Sequence, residues 1–577
     1  MEYILGLNAY HADASAALYA GGRLIAAAEE ERFCRIKHRA GFPAEAVRFC
    51  LQEAGIGLHQ LDHIAIGRDP WAKLPRKIAY VLRHPGIGWS ALQERWRNTR
   101  KVSSLEQELA ALSPGINPAA LRSKIRYIEH HRAHLASAFY ASPFEEAALL
   151  SIDGSGDFST TMTGIGRGRN MQVLASVDFP HSAGLFYTAF TQMLGFPYYG
   201  DEYKLMGLAP YGRPTRVQEL LDVIQLRPDG LFRLDLSWFR TTATNILTYD
   251  TNGVPIVAPL YAGKMIRRFG PPRRLEEPLT DEHRDLAASV QAALEQLYFH
   301  LLEGLHRRTG LRAVCIAGGV AQNSVANGKI TQNTPFEQVY IPPAGHDAGI
   351  AMGAALYVQH QLLGMPRSEP MWNPYTGSRY GAEAIESLLK ARGVAYRKME
   401  DADLLPYVAG KIAGGAVCGW FSGRAEFGPR ALGGRSILAD PRRADAKDLL
   451  NRKIKRRESF RPFAPSVLEE YASEYFEHVS PTPFMEKVVP VRPEKRAQLP
   501  AVTHVDGSAR IQTVRADIAP RYHGLIAEFH KITGVPVLLN TSFNENEPIV
   551  NAPAEALDCY LRTSMDLLVL ENYVVER

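Results

Sequence analysis

Two histidines four residues apart, His130 and His134 in "IEHHRAHLASAFY" (128–140), have a type and spacing that could do chemistry. On a helix, positions i and i+4 share a face with Cβ atoms about 5–6 Å apart, so both rings can reach one metal ion. Two solvated surface histidines are the competing reading. Ala133 precedes His134 and the segment is not HExxH, which argues against a zinc peptidase. Two carboxylates stand where an α/β fold would deliver them. The apolar run "AALLSID" ends on Asp153 just before "GSGD", and "AGHDAG" presents Asp347 in a turn ahead of a small-residue helix. Ligands bind at the carboxyl edge of such sheets, although turn and cap roles are the alternative for both acids. Two imidazoles with two carboxylates suit a first-row metal such as iron or zinc better than magnesium.

Anion chemistry is written in two further places. In "CIAGGVAQNSVANG" (315–328) a short apolar strand runs into Gly318-Gly319, with Asn323 at the expected start of a helix. Paired glycines let backbone N–H groups approach phosphate or ribose. The stretch is neither GxGxxG nor a Walker loop, and a tight connection is the other reading. The second place is basic: the chain carries 66 Lys+Arg against 61 Asp+Glu, yet residues 424–461 alone hold 12 against 5. Guanidinium forks bind phosphate bidentately. Arg430 and Arg461 sit among Phe, Pro and Gly, where an unpaired charge would be costly. A solvated basic face is the alternative. A nucleic-acid-binding surface is the alternative of another class; the absence of regularly interleaved aromatics argues against it.

These residues need elements to position them. At 577 residues, 46% hydrophobic and 22% charged, the chain is expected to form two to four soluble domains. The expected linker is "MPRSEPMWNPYTGSRYG" (365–381), dividing residues 1–364 from 382–577. No apolar run of about 18 residues and no signal-like start predict a cytoplasmic protein without a membrane segment. Five scattered cysteines without CxxC argue against a disulfide framework or a thiolate zinc site. "YILGLNAYHADASAALYAGGRLIAAAEE" from residue 3 and "LLSIDGSGDFSTTMTGIGRGRNMQVLASV" from 149 share one plan: three strands with a Gly-rich hairpin. Helical periodicity follows near 283–308, then the strand "AVCIA" (313–317) and a small-residue helix near 348–360. A duplicated three-strand start followed by helices predicts two α/β lobes facing each other across a cleft.

In their order, "EHHRAH", "SIDGSGD", "EYKLMGLAPYG", "AGGVAQN" and "AGHDAG" resemble the lobe pair of carbamoyl and threonylcarbamoyl transferases, the Kae1-like branch of the actin-like ATPase folds. The resemblance implies His130, His134, Asp153 and Asp347 as ligands of one metal, usually iron, bridging to nucleotide phosphate. It also implies Lys204, Gly318, Gly319 and Asn323 at the nucleotide. "GRAEFGPRALGGRSILADPR", "RESFRPFAPSV", "HVDGSARIQTV" and "LLNTSFNENEPIV" extend the likeness over almost the whole chain, to the nodulation-factor and antibiotic O-carbamoyltransferase family. That family includes the enzymes that carbamoylate tobramycin and cephamycins.

The implied fold is α/β, with duplicated actin-like lobes followed by a C-terminal YrdC-like domain. The implied activity is ATP-dependent transfer of carbamoyl from carbamoyl phosphate, through carbamoyl adenylate, to a hydroxyl of a small molecule, sugar or polyketide, with Mg2+ accompanying ATP. Arg430, Lys455, Arg461, Arg510, Asn540 and Ser542 would hold carbamoyl phosphate, and His11 would serve the acceptor hydroxyl as acid or base. One departure stands out. The family's first strand runs into "HD", whereas this chain reads "YHADASAAL", with Ala12 between His11 and Asp13, so an ordinary strand-end histidine stays open. Threonylcarbamoyl transfer to tRNA is the enzyme alternative. The acceptor pocket is expected in the loops around 68–125 and 236–275, with Trp71, Trp89, Trp96, Trp238 and Tyr261.

Overall fold

Apolar alternation and Gly-rich turns build two sheets of the same design. The computed structural model describes residues 1–83, 104–241 and 246–577; Trp89 and Trp96 lie outside these described residues. In the first sheet β1 (Tyr3–Asn8), β2 (Ser15–Ala20) and β3 (Arg23–Glu29) form an antiparallel meander, turned at Gly21 and Gly22 with φ of 54° and 88°. Such backbone angles suit glycine. β4 (His63–Ile66) and β5 (Ile125–Tyr127) then add in parallel, giving the order β3-β2-β1-β4-β5. The second sheet repeats the order. β6 (Glu146–Gly156), β7 (Ser159–Arg167) and β8 (Asn170–Asp178) form the meander, and β9 (Ala313–Ala317) and β10 (Gln338–Tyr340) add in parallel beside β6. This duplication is the pair of α/β lobes anticipated from the sequence repeat.

Three helices support the site. α1 (His130–Phe139) packs on β6 and β9, with nine of its ten residues buried. α2 (Asp281–Thr309) is capped at its start by Thr280, whose hydroxyl accepts the His283 N–H, and at its end by Gly310 with φ 66°. α3 (Gly349–Leu356, "GIAMGAAL") lies against β1, β2, β4 and α1. It fits because its neighbours lack side chains where it passes. A Cβ on Gly6 would stand 1.9 Å from the Ala351 carbonyl oxygen, and one on Gly353 would stand 1.9 Å from that of Ala133. Small residues therefore let α3 bring both lobes to one place.

The chain forms two compact units, the first comprising Met1–Asn323 with Ile330–Met371, the second Ser324–Lys329 with Trp372–Arg577. The second unit is a mixed nine-stranded sheet. Its order is Arg397–Lys398, Tyr573–Glu576, Leu567–Leu570, Cys418–Phe421, Arg435–Ala439, Val537–Ser542, Ala464–Leu468, Ser508–Val514, Lys487–Pro490. The core around this sheet includes Trp420, Leu438, Val467, Phe529 and Leu568. The basic stretch 419–442 contains a buried strand: "RSILA" pairs with both Cys418–Phe421 and Val537–Ser542. Its flanking arginines obscured the apolar run. Among the described residues no helix is long and apolar enough to cross a membrane.

Candidate metal centre and anion site

The backbone around α1 is organised to aim two buried imidazoles at one point. Glu129 caps the helix, its carboxylate accepting the Arg132 N–H at 2.8 Å. His131 is tied the other way, its Nδ1 2.8 Å from Ser151 Oγ, which leaves His130 and His134 on the shared face. Gly156 makes room for the first of them: a Cβ there would stand 2.1 Å from the His130 ring. Asp153 comes from β6, at a register irregularity between Ile152 and Gly156. One of its oxygens, Oδ1, accepts the Gly319 N–H at 3.0 Å, and Oδ2 faces the histidines. Asp347 arrives from the turn before α3.

The four ligand atoms lie within 4.8 Å of one another, and all four residues are buried. Oδ2 of Asp153 is 3.1 Å from His130 Nε2 and 3.4 Å from His134 Nε2, and Oδ1 of Asp347 is 3.7 and 3.4 Å from the same atoms. Donors bonded to one ion at about 2.0–2.2 Å stand about 3.3–3.6 Å apart at tetrahedral angles. Neither ring nitrogen of His134 has an aligned hydrogen-bond partner among the described residues. Buried polar atoms are ordinarily satisfied. The donor set, the spacing and the orphaned imidazole fit a first-row divalent ion.

The charges agree with that fit. Burial, the largest single influence, pulls the Asp153 carboxyl up, but contact with His130 and His134 outweighs it and holds it well below the usual carboxylate range. Burial likewise opposes ionisation of Asp347, and the charge of His11 is the first of the effects that reverse it. Burial lowers His130, whereas in His134 the two carboxylates overcome burial and push the imidazole up to about 9. Two buried anions thus retain a proton on His134, a charge that a bound cation would replace.

The "YHAD" turn sends its two acidic-site side chains in different directions. Tyr10 and Asp13 have φ of 60° and 55°, and the Asn8 side-chain amide donates to the carbonyls of Ala12 and Asp13, both at 2.9 Å. His11 Nδ1 consequently stands 2.5 Å from Asp347 Oδ2, and its ring lies 5.1 Å from that of His130. Asp13 turns instead to His38, whose Nδ1 is 2.8 Å away. Burial pulls His38 down, yet Asp13 dominates and raises it to about 9.

The residues named from sequence for the nucleotide have varied surroundings. Gly318, with φ 100°, and Gly319 press against β6: added Cβ atoms would stand 2.2 Å from the Ile152 carbonyl and 2.7 Å from Asp153 Oδ1. Asn323 forms a reciprocal amide pair with Gln291 of α2 at 3.0 Å both ways, and Tyr187 donates to the same Gln291. Gln291 carries no sequence signal; it is one residue of a long helix. Lys204 Nζ lies 2.9 Å from Asp201.

In the second unit the basic stretch divides into two kinds. Arg424 donates to the Thr376 and Gly377 carbonyls, and buried Arg435 donates to Ser378, Ser422, Gly423 and Gly434 while stacking 3.6 Å over Phe421. Arg442, Arg443 and Arg456 pair with Asp440, Asp445 and Glu545. These hold the fold. The loop between them is shaped by buried Glu426, whose Oε1 accepts N–H from Leu432 and Gly434 at 2.7 Å and from Arg435 at 3.2 Å.

The other kind converges. Arg510 is pushed well below its ordinary range, first by burial, then by the charges of Arg430, Arg457 and Arg461. Its buried Nε has no hydrogen-bond partner among the described residues. Like charges gathered in this way call for an anion. Arg457 was not singled out from the sequence, being hidden in the run "KIKRRES". Asn540 donates to Ser466 Oγ at 3.0 Å and to the Ala431 carbonyl at 3.2 Å, beside the Arg430 loop. Lys455 Nζ donates to Asn544 O and Oδ1 at 2.8 and 2.7 Å and to Ser542 Oγ at 3.3 Å.

Comparison with known proteins adds two family models: "Carbamoyltransferase N-terminus" matches residues 3–356 and "Carbamoyltransferase C-terminus" matches 409–577. The chain is 42% identical to the uncharacterized protein sll1178 of Synechocystis sp., over all of this chain and 97% of that one. It is 39% identical to nodulation protein NolNO of Sinorhizobium fredii, over 99% of this chain and 80% of that one. With 3'-hydroxymethylcephem-O-carbamoyltransferase of Amycolatopsis lactamdurans it shares 28% identity, over 89% of this chain and 88% of the other.

Proposed function

The chain belongs to the carbamoyltransferase family, and from that premise we propose that it is an ATP-dependent O-carbamoyltransferase with carbamoyl phosphate as donor and carbamoyl adenylate as intermediate. The acceptor is a hydroxyl of a small molecule, sugar or polyketide. The observation that carries the donor assignment is Arg510, a buried guanidinium whose Nε has no hydrogen-bond partner among the described residues and whose charge is opposed by those of Arg430, Arg457 and Arg461. A doubly charged phosphoryl group is the chemistry such a cluster takes.

In the second unit, Arg430, Arg461 and Arg510, with Lys455, Asn540 and Ser542, bind and orient carbamoyl phosphate. Water releases phosphate and carbamate. The carbamate oxygen then attacks the α-phosphorus of Mg2+-bound ATP, forming carbamoyl adenylate as the bond to pyrophosphate breaks. In the first unit, Lys204, Gly318, Gly319 and Asn323 position the adenylate. The acceptor oxygen attacks the carbamoyl carbon, the bond to AMP breaks, and the hydroxyl proton passes to His11, whose Nδ1 is oriented by Asp347. His130, His134, Asp153 and Asp347 would hold an iron or other first-row ion, which would supply Lewis acidity at this site. Keeping both steps within one chain limits exposure of a mixed anhydride to water.

The test separates the two centres. Arg510→Ala should abolish carbamoyl-phosphate-dependent exchange of pyrophosphate into ATP and leave metal content intact; His134→Ala should lower metal content at least about tenfold and keep the exchange. An acceptor screen read by mass spectrometry should show gain of one HNCO unit. Stimulation by tRNA and by no small hydroxyl compound would instead assign threonylcarbamoyl transfer. Loss of both activities in each variant with unchanged metal content would overturn the division of labour.

A further inference from the structure

The turn that leads into the strand Ser508–Val514 puts a histidine on the same face as Arg510. Gly507 has φ 80°, and the His504 N–H donates to the Ser508 carbonyl at 2.7 Å, so the turn 504–508 closes on itself. Along a strand alternate side chains share a face, which places Ser508, Arg510 and Gln512 in one row. Gln512 donates to the Leu432 carbonyl at 2.8 Å and accepts from Asn540 at 3.2 Å, so one end of that row meets the Arg430 loop. His504 joins the row at its other end, with Nδ1 3.2 Å from Ser508 Oγ.

The hydrogens around that contact are set by Asp506. A serine hydroxyl has one hydrogen, and Ser508 gives it to Asp506 Oδ1 at 2.6 Å. Ser508 Oγ is therefore left to accept from His504, and Nδ1 carries the ring hydrogen. Burial, the largest influence, acts with the charges of Arg510 and Lys447 against that of Asp506 and holds the imidazole down at about 4. The ring is then neutral at pH 7, and Nε2 bears a lone pair. That atom is buried and has no hydrogen-bond partner among the described residues, as is also true of Arg510 Nε.

A buried lone pair is the wrong group for a phosphate. Phosphoryl oxygens are themselves acceptors, and guanidinium groups supply the donors they need. Nε2 calls instead for an N–H or O–H from a ligand, since buried polar atoms are ordinarily satisfied. A carbamoyl group carries N–H at the end remote from its phosphoryl oxygens, and an acetyl group of the same size carries none. Arginines have no acceptor with which to tell the two apart.

We propose that His504 selects the carbamoyl group of the donor, its Nε2 accepting an amide N–H while the arginines hold the phosphoryl end. This assignment rests on the reading of the second unit as the carbamoyl phosphate site, and it adds the residue that distinguishes this donor from other acyl phosphates. Asp506 and Ser508 are positioning residues, because they fix which ring nitrogen carries the hydrogen.

Calorimetric titration of the full chain with two hydrolysis-resistant phosphonates tests this. Phosphonoacetamide keeps the amide, and 2-oxopropylphosphonate has a methyl group in its place. The wild type should bind the amide at least about tenfold more tightly than the ketone. His504→Phe retains a flat ring without an acceptor and should bring the two affinities within about twofold, through loss at the amide. His504→Leu should do the same, and unchanged melting temperatures verify that the variants fold. Equal binding of the two phosphonates by the wild type overturns the proposal with no variant needed and leaves the anion site standing. Variants that keep the wild-type preference, at full or at reduced affinity, overturn it as well, since His504 would then be a structural residue. A wild type that binds neither phosphonate overturns the carbamoyl phosphate reading, and this proposal with it.

Discussion

At the scale of single residues, the centre is defined by which oxygen and which nitrogen remain unused. The Gly319 N–H occupies Oδ1 of Asp153 and Ser151 occupies His131, so Oδ2 and the Nε2 atoms of His130 and His134 are left to converge. Outer partners of this kind orient ligands and tune their basicity. Because His134 is raised to about 9 by its two carboxylates, it is protonated below that pH, and an ion must displace the proton. Affinity for a divalent first-row ion should therefore rise with pH from about 7 to about 9, by about tenfold per unit, and level off above. Calorimetric titration in buffers of different ionisation enthalpy checks this through the proton released. A flat profile over that range would show that His134 is not a ligand.

At the scale of elements, close approach matters more than any one interaction. α3 touches β1 through Gly6 and α1 through Gly353, and those two contacts set the height at which Asp347 meets the histidine pair. Gly353→Ala places a methyl group where the Ala133 carbonyl stands, between the two histidines in sequence. It should cost about 1–3 kcal/mol in stability and weaken metal binding although no ligand is altered. Thermal melts together with metal competition assays check both, and a variant as stable and as tightly metallated as the wild type would refute the packing argument.

At the scale of the whole molecule, sequence order and structural unit do not coincide. Ser324–Lys329 interrupts the first unit in the chain but belongs to the second. There Gly328 lies so near the strand Lys487–Pro490 that a Cβ would stand 1.7 Å from the Val488 carbonyl oxygen, and Asn327 donates to the Glu486 carbonyl at 2.9 Å. That strand is the outermost of its sheet, and covering an edge prevents unwanted pairing. Gly328→Val should lower the stability of the second unit by about 1–3 kcal/mol, with aggregation on heating, while metal content stays at the wild-type level. Scanning calorimetry and metal analysis distinguish this from damage to the first unit.

The sequence by itself determined the elements and the chemistry of their ends. The repeated three-strand plan, the long helix ending before Gly310, the strand "AVCIA" and the histidine pair are all periodic or motif signals within a few residues, so local pattern suffices for them. Family likeness located the arginines and aspartates as types at positions. Only tertiary structure decided which of those groups meet. Asp153 and Asp347 are 194 residues apart in number, and their oxygens reach one pair of imidazoles because glycines remove side chains at the helix crossings. The same holds for charge. Twelve basic residues in a short stretch look alike in sequence, yet carbonyls and nearby acids satisfy Arg424, Arg435, Arg442 and Arg443, whereas the charges of Arg430, Arg457 and Arg461 act on buried Arg510. Contacts between distant segments have no period and no spacing, which is why they could be seen only in the folded chain.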